Sequence, residues 1–189
     1  MSSKELVEIV FHGRGGQGSV TAANLLVAAA LKDGNKGVQA FPFFGAERRG
    51  APVRAFARIS DNEIHLRSEI YTPDIVIVLD PGLLELANPT EGIRDGGLLV
   101  INSNKAPEEF GDEIPSSIKI ATVDANRIAL EELGRPIVNT TLIGAFIKAN
   151  PVITIDDIRS PMLERFGPKL GGRNMKALER AYREVIIQE

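Results

Sequence analysis

One stretch near the start of the chain limits its possible folds more than any other. The apolar run Leu6–Phe11 leads into glycines at 13, 15, 16 and 18, and Val20, Ala23, Asn24, Leu25, Val27, Ala28 and Leu31 then recur at helical spacing. This pattern predicts a strand, a tight glycine-rich turn and a helix. Glycine lets the turn take positive φ and lets another group come close to the backbone. The first amides of the helix have no internal acceptor, and they share the positive end of its dipole. The stretch is therefore a candidate anion site.

Two familiar nucleotide motifs are tested against it. Gly13, Gly15 and Gly18 match the spacing G-x-G-x-x-G. A dinucleotide site also needs an acidic residue closing the second strand, to hold a ribose hydroxyl. The predicted second strand, about Gly37–Phe43, ends without one, and Asp33 lies earlier, where the helix should end. A phosphate-binding P-loop needs Lys where Ser19 stands. Neither motif is complete, and a ligand-free βα turn stays open as the simpler reading.

Composition narrows the function classes. The 189 residues carry a net charge of −3, so there is no basic field to attract nucleic acid. The chain has no cysteine, which excludes disulfides, thiolate catalysis and cysteine-ligated iron–sulfur clusters within it. Its two histidines, His12 and His65, are far apart in sequence, so a histidine-rich metal site is not expected. No apolar run approaches membrane-spanning length, and residues 1–5 show no signal-peptide pattern, so a cytoplasmic protein is expected.

Further along, strands alternate with helices. Val53–Ile59 alternates as a half-buried strand, and 63–66 is read as its short return partner. The β-branched run Ile75–Leu79 suits a parallel strand covered on both faces, and Asp80-Pro81-Gly82 closes it. Further strands are read at 97–102 and 118–123. Helices are expected from Asp124 to Leu133, over Leu142–Ala149, from Thr154 to about Arg165 and over Asn174–Ile187, with a Gly/Pro-rich break at 166–173. The fold class is α/β: a Rossmann-like, mainly parallel sheet flanked by helices, with an antiparallel hairpin near 53–66 and a helical C-terminal region. One domain, 1–189, with a helical extension over about 150–189, is expected. Ligands in such sheets bind beyond the carboxyl ends of the strands, an edge that would hold the glycine loop, Asp80 and Asn102.

Other clusters are weaker. Glu47, Arg48 and Arg49 sit between glycines 45 and 50, beside Phe41, Phe43 and Phe44. Paired guanidiniums suit a phosphate, a carboxylate or a partner chain, while a solvated charged turn is the plainer alternative. Asn139-Thr140-Thr141 reads first as an ordinary helix cap. Asp80 could position a ligand or form an Asx turn. His12 could carry a proton beside the glycine loop, or simply pack at a strand end.

Taken together, these blocks resemble the gamma subunits of 2-oxoacid:ferredoxin oxidoreductases. The resemblance is carried by Phe11-His12-Gly13-Arg14-Gly15-Gly16-Gln17-Gly18, by Phe44-Gly45-Ala46-Glu47-Arg48-Arg49-Gly50-Ala51-Pro52-Val53, by the strand ending at Asp80, and by Val138-Asn139-Thr140 leading into Leu142-Ile143-Gly144-Ala145. It covers nearly the whole chain and is nearest to the pyruvate branch. It implies a non-redox subunit, inactive alone, of a cytoplasmic, anaerobic-type heterotetramer with alpha, beta and delta chains. That complex converts pyruvate and coenzyme A to acetyl-coenzyme A and CO2 while reducing ferredoxin. Thiamine diphosphate, magnesium and [4Fe-4S] clusters are implied on the partner chains, with none of these bound by this chain alone and no catalytic or metal-ligating residue in it. Coenzyme A is the implied co-substrate. Gly13, Gly15, Gly16, Gln17 and Gly18 would contact an anionic group, Glu47, Arg48 and Arg49 a ligand or neighbouring subunit, and Asn139 and Thr140 would line the same edge. A branched-chain or indole-pyruvate enzyme, or a free-standing dinucleotide-binding protein, stays open.

Overall fold

The computed structural model describes residues 6–32, 34, 37–43, 50–111 and 114–188. The expected loop residues Glu47, Arg48 and Arg49 lie outside the described residues.

Strand β1 (Leu6–Arg14) runs through the glycine turn into helix α1 (Ser19–Lys32). Then follow β2 (Gly37–Pro42), β3 (Pro52–Ser60), β4 (Ile75–Val78), the short helix α2 (Leu83–Ala87) and β5 (Leu98–Asn102). A single 3-10 turn (Pro107–Phe110) precedes β6 (Lys119–Val123). The chain finishes with α3 (Ala125–Leu133), α4 (Asn139–Ala149), α5 (Ile155–Glu184) and the two-residue strand β7 (Ile186–Ile187). The strands form one sheet in the order β2-β3-β1-β4-β5-β6-β7. β1, β4, β5 and β6 are mutually parallel neighbours; β3 is antiparallel to both β1 and β2, and β7 is antiparallel to β6. Among the described residues no helix is long and apolar enough to cross a membrane.

Period-two alternation sends each strand's side chains to two different layers. Ile9, Phe11, Ala55, Ala57, Ile77 and Val100 face the thicker layer, made by α1, α3, α4 and α5. Val10, Phe56, Val76, Val78, Leu99 and Ile101 face the thinner one, covered by Leu83 of α2, Phe110 and Ile70. Both faces are thus dry, as the β-branched runs demand.

The structure changes three details of the sequence reading. The antiparallel element is present, but β3 pairs with β2 and β1, and residues 63–66 form no strand. Consequently β3 is not half-buried: it is an inner strand, and Arg58 is only 1% exposed. Arg58 Nε donates to Glu8 Oε1 at 2.9 Å from the residue directly opposite in the β1–β3 register. Second, the expected break at 166–173 is one residue, Gly167 (φ 74°), and the rest of that stretch is helical. Third, the final helix stops at Glu184, and Ile186–Ile187 adds an edge strand to β6.

The α4–α5 contact depends on one small residue. A Cβ on Gly144 would land on the carbonyl oxygen of Leu178, so the two helix backbones touch there. Gly144→Ala is expected to lower stability by about 3 kcal/mol, the upper end for an overpacked core. Denaturant unfolding measures it, and a loss below about 0.5 kcal/mol, the scale of a neutral surface change, would mean that the helices do not meet at this point.

Candidate functional site

β1 is the point where the sheet's neighbours change direction. The chain leaves it on the thicker layer through α1, while β4, its parallel neighbour, leaves on the thinner layer through α2. The two connections diverge and open a crevice beyond the carboxyl ends of β1 and β4, where ligands bind in such sheets. The glycine turn and Asp80 both lie there.

Gly13 still pairs in the ladder, opposite Val53. Gly15 continues the contact: its amide donates to Ala51 O at 2.9 Å, and its carbonyl accepts from Gly50 N at 3.3 Å. The far flank of the 44–49 segment is therefore held against the glycine turn. The Gln17 amide closes a turn onto Arg14 O at 2.9 Å, and Gln17 Oε1 accepts from Arg14 N at 2.7 Å. Gln17 thus braces the turn with its own side chain. Arg14 Nε donates to Asp80 Oδ2 at 2.7 Å, while Asp80 Oδ1 accepts from Gly82 N at 3.0 Å. Asp80 is both an Asx turn and the anchor of Arg14. This ion pair ties the end of β1 to the end of β4 and largely cancels the arginine's charge. The positive potential left in the crevice comes from the α1 amides.

α1 begins at Ser19, and Gly18 O accepts the first helical bond, from Ala22 N at 3.0 Å. Ser19 does not cap the helix; its Oγ is buried and has no partner among the described residues. Gly18, at φ 85°, meets Asn139: the amide Nδ2 donates to Gly18 O at 3.2 Å, and a Cβ on Gly18 would lie 2.5 Å from that nitrogen. Asn139 is the first residue of α4 and not its cap, and its Oδ1 is buried without a partner among the described residues. Gly16, at φ 95°, is exposed, with open space where a Cβ would be. Its backbone is open to solvent at that point of the turn. Thr140 is elsewhere. It is fully buried, and its Oγ1 donates to Asn174 Oδ1 of α5 at 2.7 Å, so it fastens helices and does not face the crevice.

Two neighbouring groups have structural roles. Asn102 is buried; its Nδ2 donates to Leu79 O at 2.9 Å and its Oδ1 accepts from Asn126 N at 3.3 Å. His12 precedes the turn but faces the thinner layer. Burial, with the Arg54 charge second, pulls its pKa down to about 4. It is neutral near pH 7, which argues against a proton carrier at that pH. Among the described residues no group of three or more His, Cys, Asp or Glu side chains could hold a metal ion. The Arg14–Asp80 brace was the part the sequence reading missed. The two residues are 66 apart, and the only signal for the pairing was that both sit at strand ends.

The family model described as pyruvate ferredoxin/flavodoxin oxidoreductase matches residues 8–184. The "Pyruvate/ketoisovalerate oxidoreductases common subunit gamma" of Thermococcus kodakarensis is 49% identical over 97% of this chain and 100% of its own length. The "Pyruvate synthase subunit PorC" of Methanocaldococcus jannaschii is 51% identical over 96% of this chain and 98% of its own. Among solved structures, a pyruvate oxidoreductase subunit from Thermotoga maritima superposes with a TM-score of 0.87 at 38% identity, covering 98% of this chain and 100% of that one.

Two outcomes are expected. Gly16→Ala and Gly18→Ala should each cost about 1–2 kcal/mol for positive φ, and Gly18→Ala should cost more, because Asn139 must also move; equal losses in denaturant unfolding would remove the Gly18–Asn139 contact. The His12 imidazole should titrate near pH 4 by NMR. Because its folded pKa lies below the unfolded 6.5, the unfolded chain binds the extra proton between these values. The stability this neutral histidine allows is present above about pH 6.5 and declines by up to about 3 kcal/mol as pH falls toward 4. A His12 midpoint near 6.5 would contradict its burial.

Proposed function

The chain belongs to the pyruvate ferredoxin/flavodoxin oxidoreductase family as a gamma-type subunit, and we propose that it serves a 2-oxoacid:ferredoxin oxidoreductase complex as a non-redox component. The observation that carries this reading is full-length likeness: relatives named as gamma or PorC subunits align over essentially their whole length. The pyruvate branch is what the sequence blocks suggested. The first relatives bear names that couple pyruvate with ketoisovalerate, which favours a wider reading: one gamma chain serving complexes for pyruvate and for branched-chain 2-oxoacids. On this reading, substrate choice resides on the alpha and beta partners. Thiamine diphosphate, magnesium and the iron–sulfur clusters also reside on partner chains, since a chain without cysteine offers no thiolate to a cluster.

This chain's own part is to present the crevice at the end of β1. Gly13, Gly15, Gly16, Gln17 and Gly18 form a turn whose shape is fixed by Gln17 and by the Arg14–Asp80 pair. The exposed backbone at Gly16 and the α1 amides can then meet an anionic group, such as a phosphate of coenzyme A, without reorganising. Asn139 holds Gly18 from behind. Glu47, Arg48 and Arg49 would add charge from the neighbouring loop, either to that ligand or to an adjoining subunit.

The test is purification of the native complex through a tag on this chain, with viologen reduction assayed for pyruvate and for ketoisovalerate, each with coenzyme A. Iron-bearing partner chains and activity with both acids are expected. A chain that purifies alone from its own source, with no 2-oxoacid-dependent activity, would sink the subunit reading. Replacing Arg48 and Arg49 by Ala should raise the coenzyme A KM or loosen assembly; no change in either would remove their proposed role.

A further inference from the structure

Helix α5 carries an unbalanced run of charge. Between Glu164 and Glu179 it has Arg165, Lys169, Arg173 and Lys176 and no carboxylate, although the chain's net charge is −3. All four are exposed, and none has an ion-pair partner among the described residues. The carboxylates that flank them are already paired elsewhere: Glu164 with Lys32, Glu179 with Arg159 and Glu132 with Arg180. Lys169, Arg173 and Lys176 follow at spacings of four and three, so they share one face of the helix. Arg173 is oriented by its Nε, which donates to Glu132 O at 2.8 Å, and its two terminal nitrogens have no hydrogen-bond partner among the described residues.

The same stretch opens a recess. The helix breaks at Gly167 (φ 74°), and Pro168 starts the second arm, where a fixed φ suits a helix start. A recess of about 320 Å3 lies at this elbow, walled by Phe166, Gly167, Pro168 and Leu170, with Lys169 and Arg173 also lining it. Leu163 and Leu170 are 36% and 45% exposed, so apolar surface faces water beside the cations. The elbow is also well supported. A Cβ on Gly171 would come within 3.0 Å of Leu163 Cα and Met162 O, so the two arms of the helix touch. A surface held in this way needs little ordering when something binds.

Cations around an apolar recess select an occupant that is acidic and carries an apolar side chain. A nucleic-acid backbone would use the cations but leave Phe166, Pro168 and Leu170 in water. An anionic membrane takes up apolar side chains that project from a surface, whereas these line a concavity. An apolar centre with a charged rim is the anatomy of a protein interface, and basic clusters recur in the recognition of acidic motifs.

We infer that the elbow of α5 docks an acidic segment of another protein chain, which places a bulky apolar side chain in the recess and its carboxylates against Lys169, Arg173 and Lys176. Docking here depends on neither the subunit reading nor the glycine crevice, and it is measured on this chain alone.

The probe is a short peptide of glutamates with one Leu and one Phe at its centre, titrated into the full chain at low salt and followed by backbone amide NMR. Saturable shifts confined to residues 163–176 are expected. A second peptide, with Ser in place of the Leu and the Phe, should bind at least about tenfold more weakly, the scale of one buried apolar side chain. Lys169→Glu combined with Lys176→Glu should weaken the first peptide at least about tenfold, the scale of reversed charges at an interface. Should that double variant fail to fold, the comparison of the two peptides on the unaltered chain still decides. Equal binding of the two peptides overturns the inference, because charge alone would then explain it. So does the absence of shifts up to about 5 mM peptide, above the Kd of a weak site. Tighter binding of phosphatidylglycerol vesicles or of polyuridylate than of the first peptide overturns it too, and is the result expected of a membrane or an RNA surface.

Discussion

Burying Arg58 is the constraint on which the rest of this architecture depends. A guanidinium that is 1% exposed needs a carboxylate, and Glu8 provides it from the directly opposing position. The other oxygen of Glu8 accepts from Arg94 Nη2 at 2.9 Å, and the Glu8 amide donates to Asp74 Oδ2 at 2.9 Å. Arg94 Nε in turn reaches Thr72 O at 2.7 Å, and Arg58 Nη2 reaches Glu69 O at 3.3 Å. One carboxylate thereby pins the 69–74 segment and the 94 turn onto the thinner face. Removing one member of such a buried set costs about 3–5 kcal/mol, because the charge left behind has no water. An apolar pair would cover the face as well but would not fix where the polar backbone of the covering loop sits.

Strand β1 connects this network to the candidate site. Its amino end carries Glu8 and its carboxyl end carries Arg14, each paired with a charge from a distant segment. Between them, alternate residues split the strand between two cores: Ile9 and Phe11 pack under α1, while Val10 and His12 line the other face. The glycine turn can be thin and partly exposed because it need not hold the sheet together. The ladder to β3 and the Arg14–Asp80 pair do that on either side. A turn held in this way keeps its shape without a ligand, and the anion proposed to bind there would not have to order it.

Much of this was legible in the residues. The strand-turn-helix at 6–32, the parallel run at 75–78, the helix near 124–133 and the family resemblance all rest on local signals: period, β-branching and the placement of glycines. Gly18 and Asn139 were both singled out, and the fold brings them into contact across 121 residues. The misreadings have different causes. Arg58 looks like an outward-facing charge until Glu8, 50 residues away, holds it inside, and the glycines of 169–173 look like a break until Gly171 packs against Leu163 in the other arm of α5. Residues 63–66 follow a turn as a return strand would, yet β3 pairs with β1 and β2 instead, and 63–66 meets the sheet through the Gln39 side chain, whose Nε2 donates to Leu66 O at 3.0 Å.

The sequence by itself determined the elements, the alternation that makes both sheet faces apolar, the exclusion of thiolate chemistry and the position of a glycine turn at a helix N-terminus. These follow from short-range sterics and composition. Only the tertiary structure decided which neighbours β3 takes, that His12 faces away from the turn it adjoins, that Thr140 fastens helices while Asn139 backs the turn, and that Arg14 is spent on Asp80. The physical reason is that hydrogen bonds and ion pairs between segments 50 to 120 residues apart depend on strand order and on which face a side chain occupies. A one-residue change of register reverses every one of those faces.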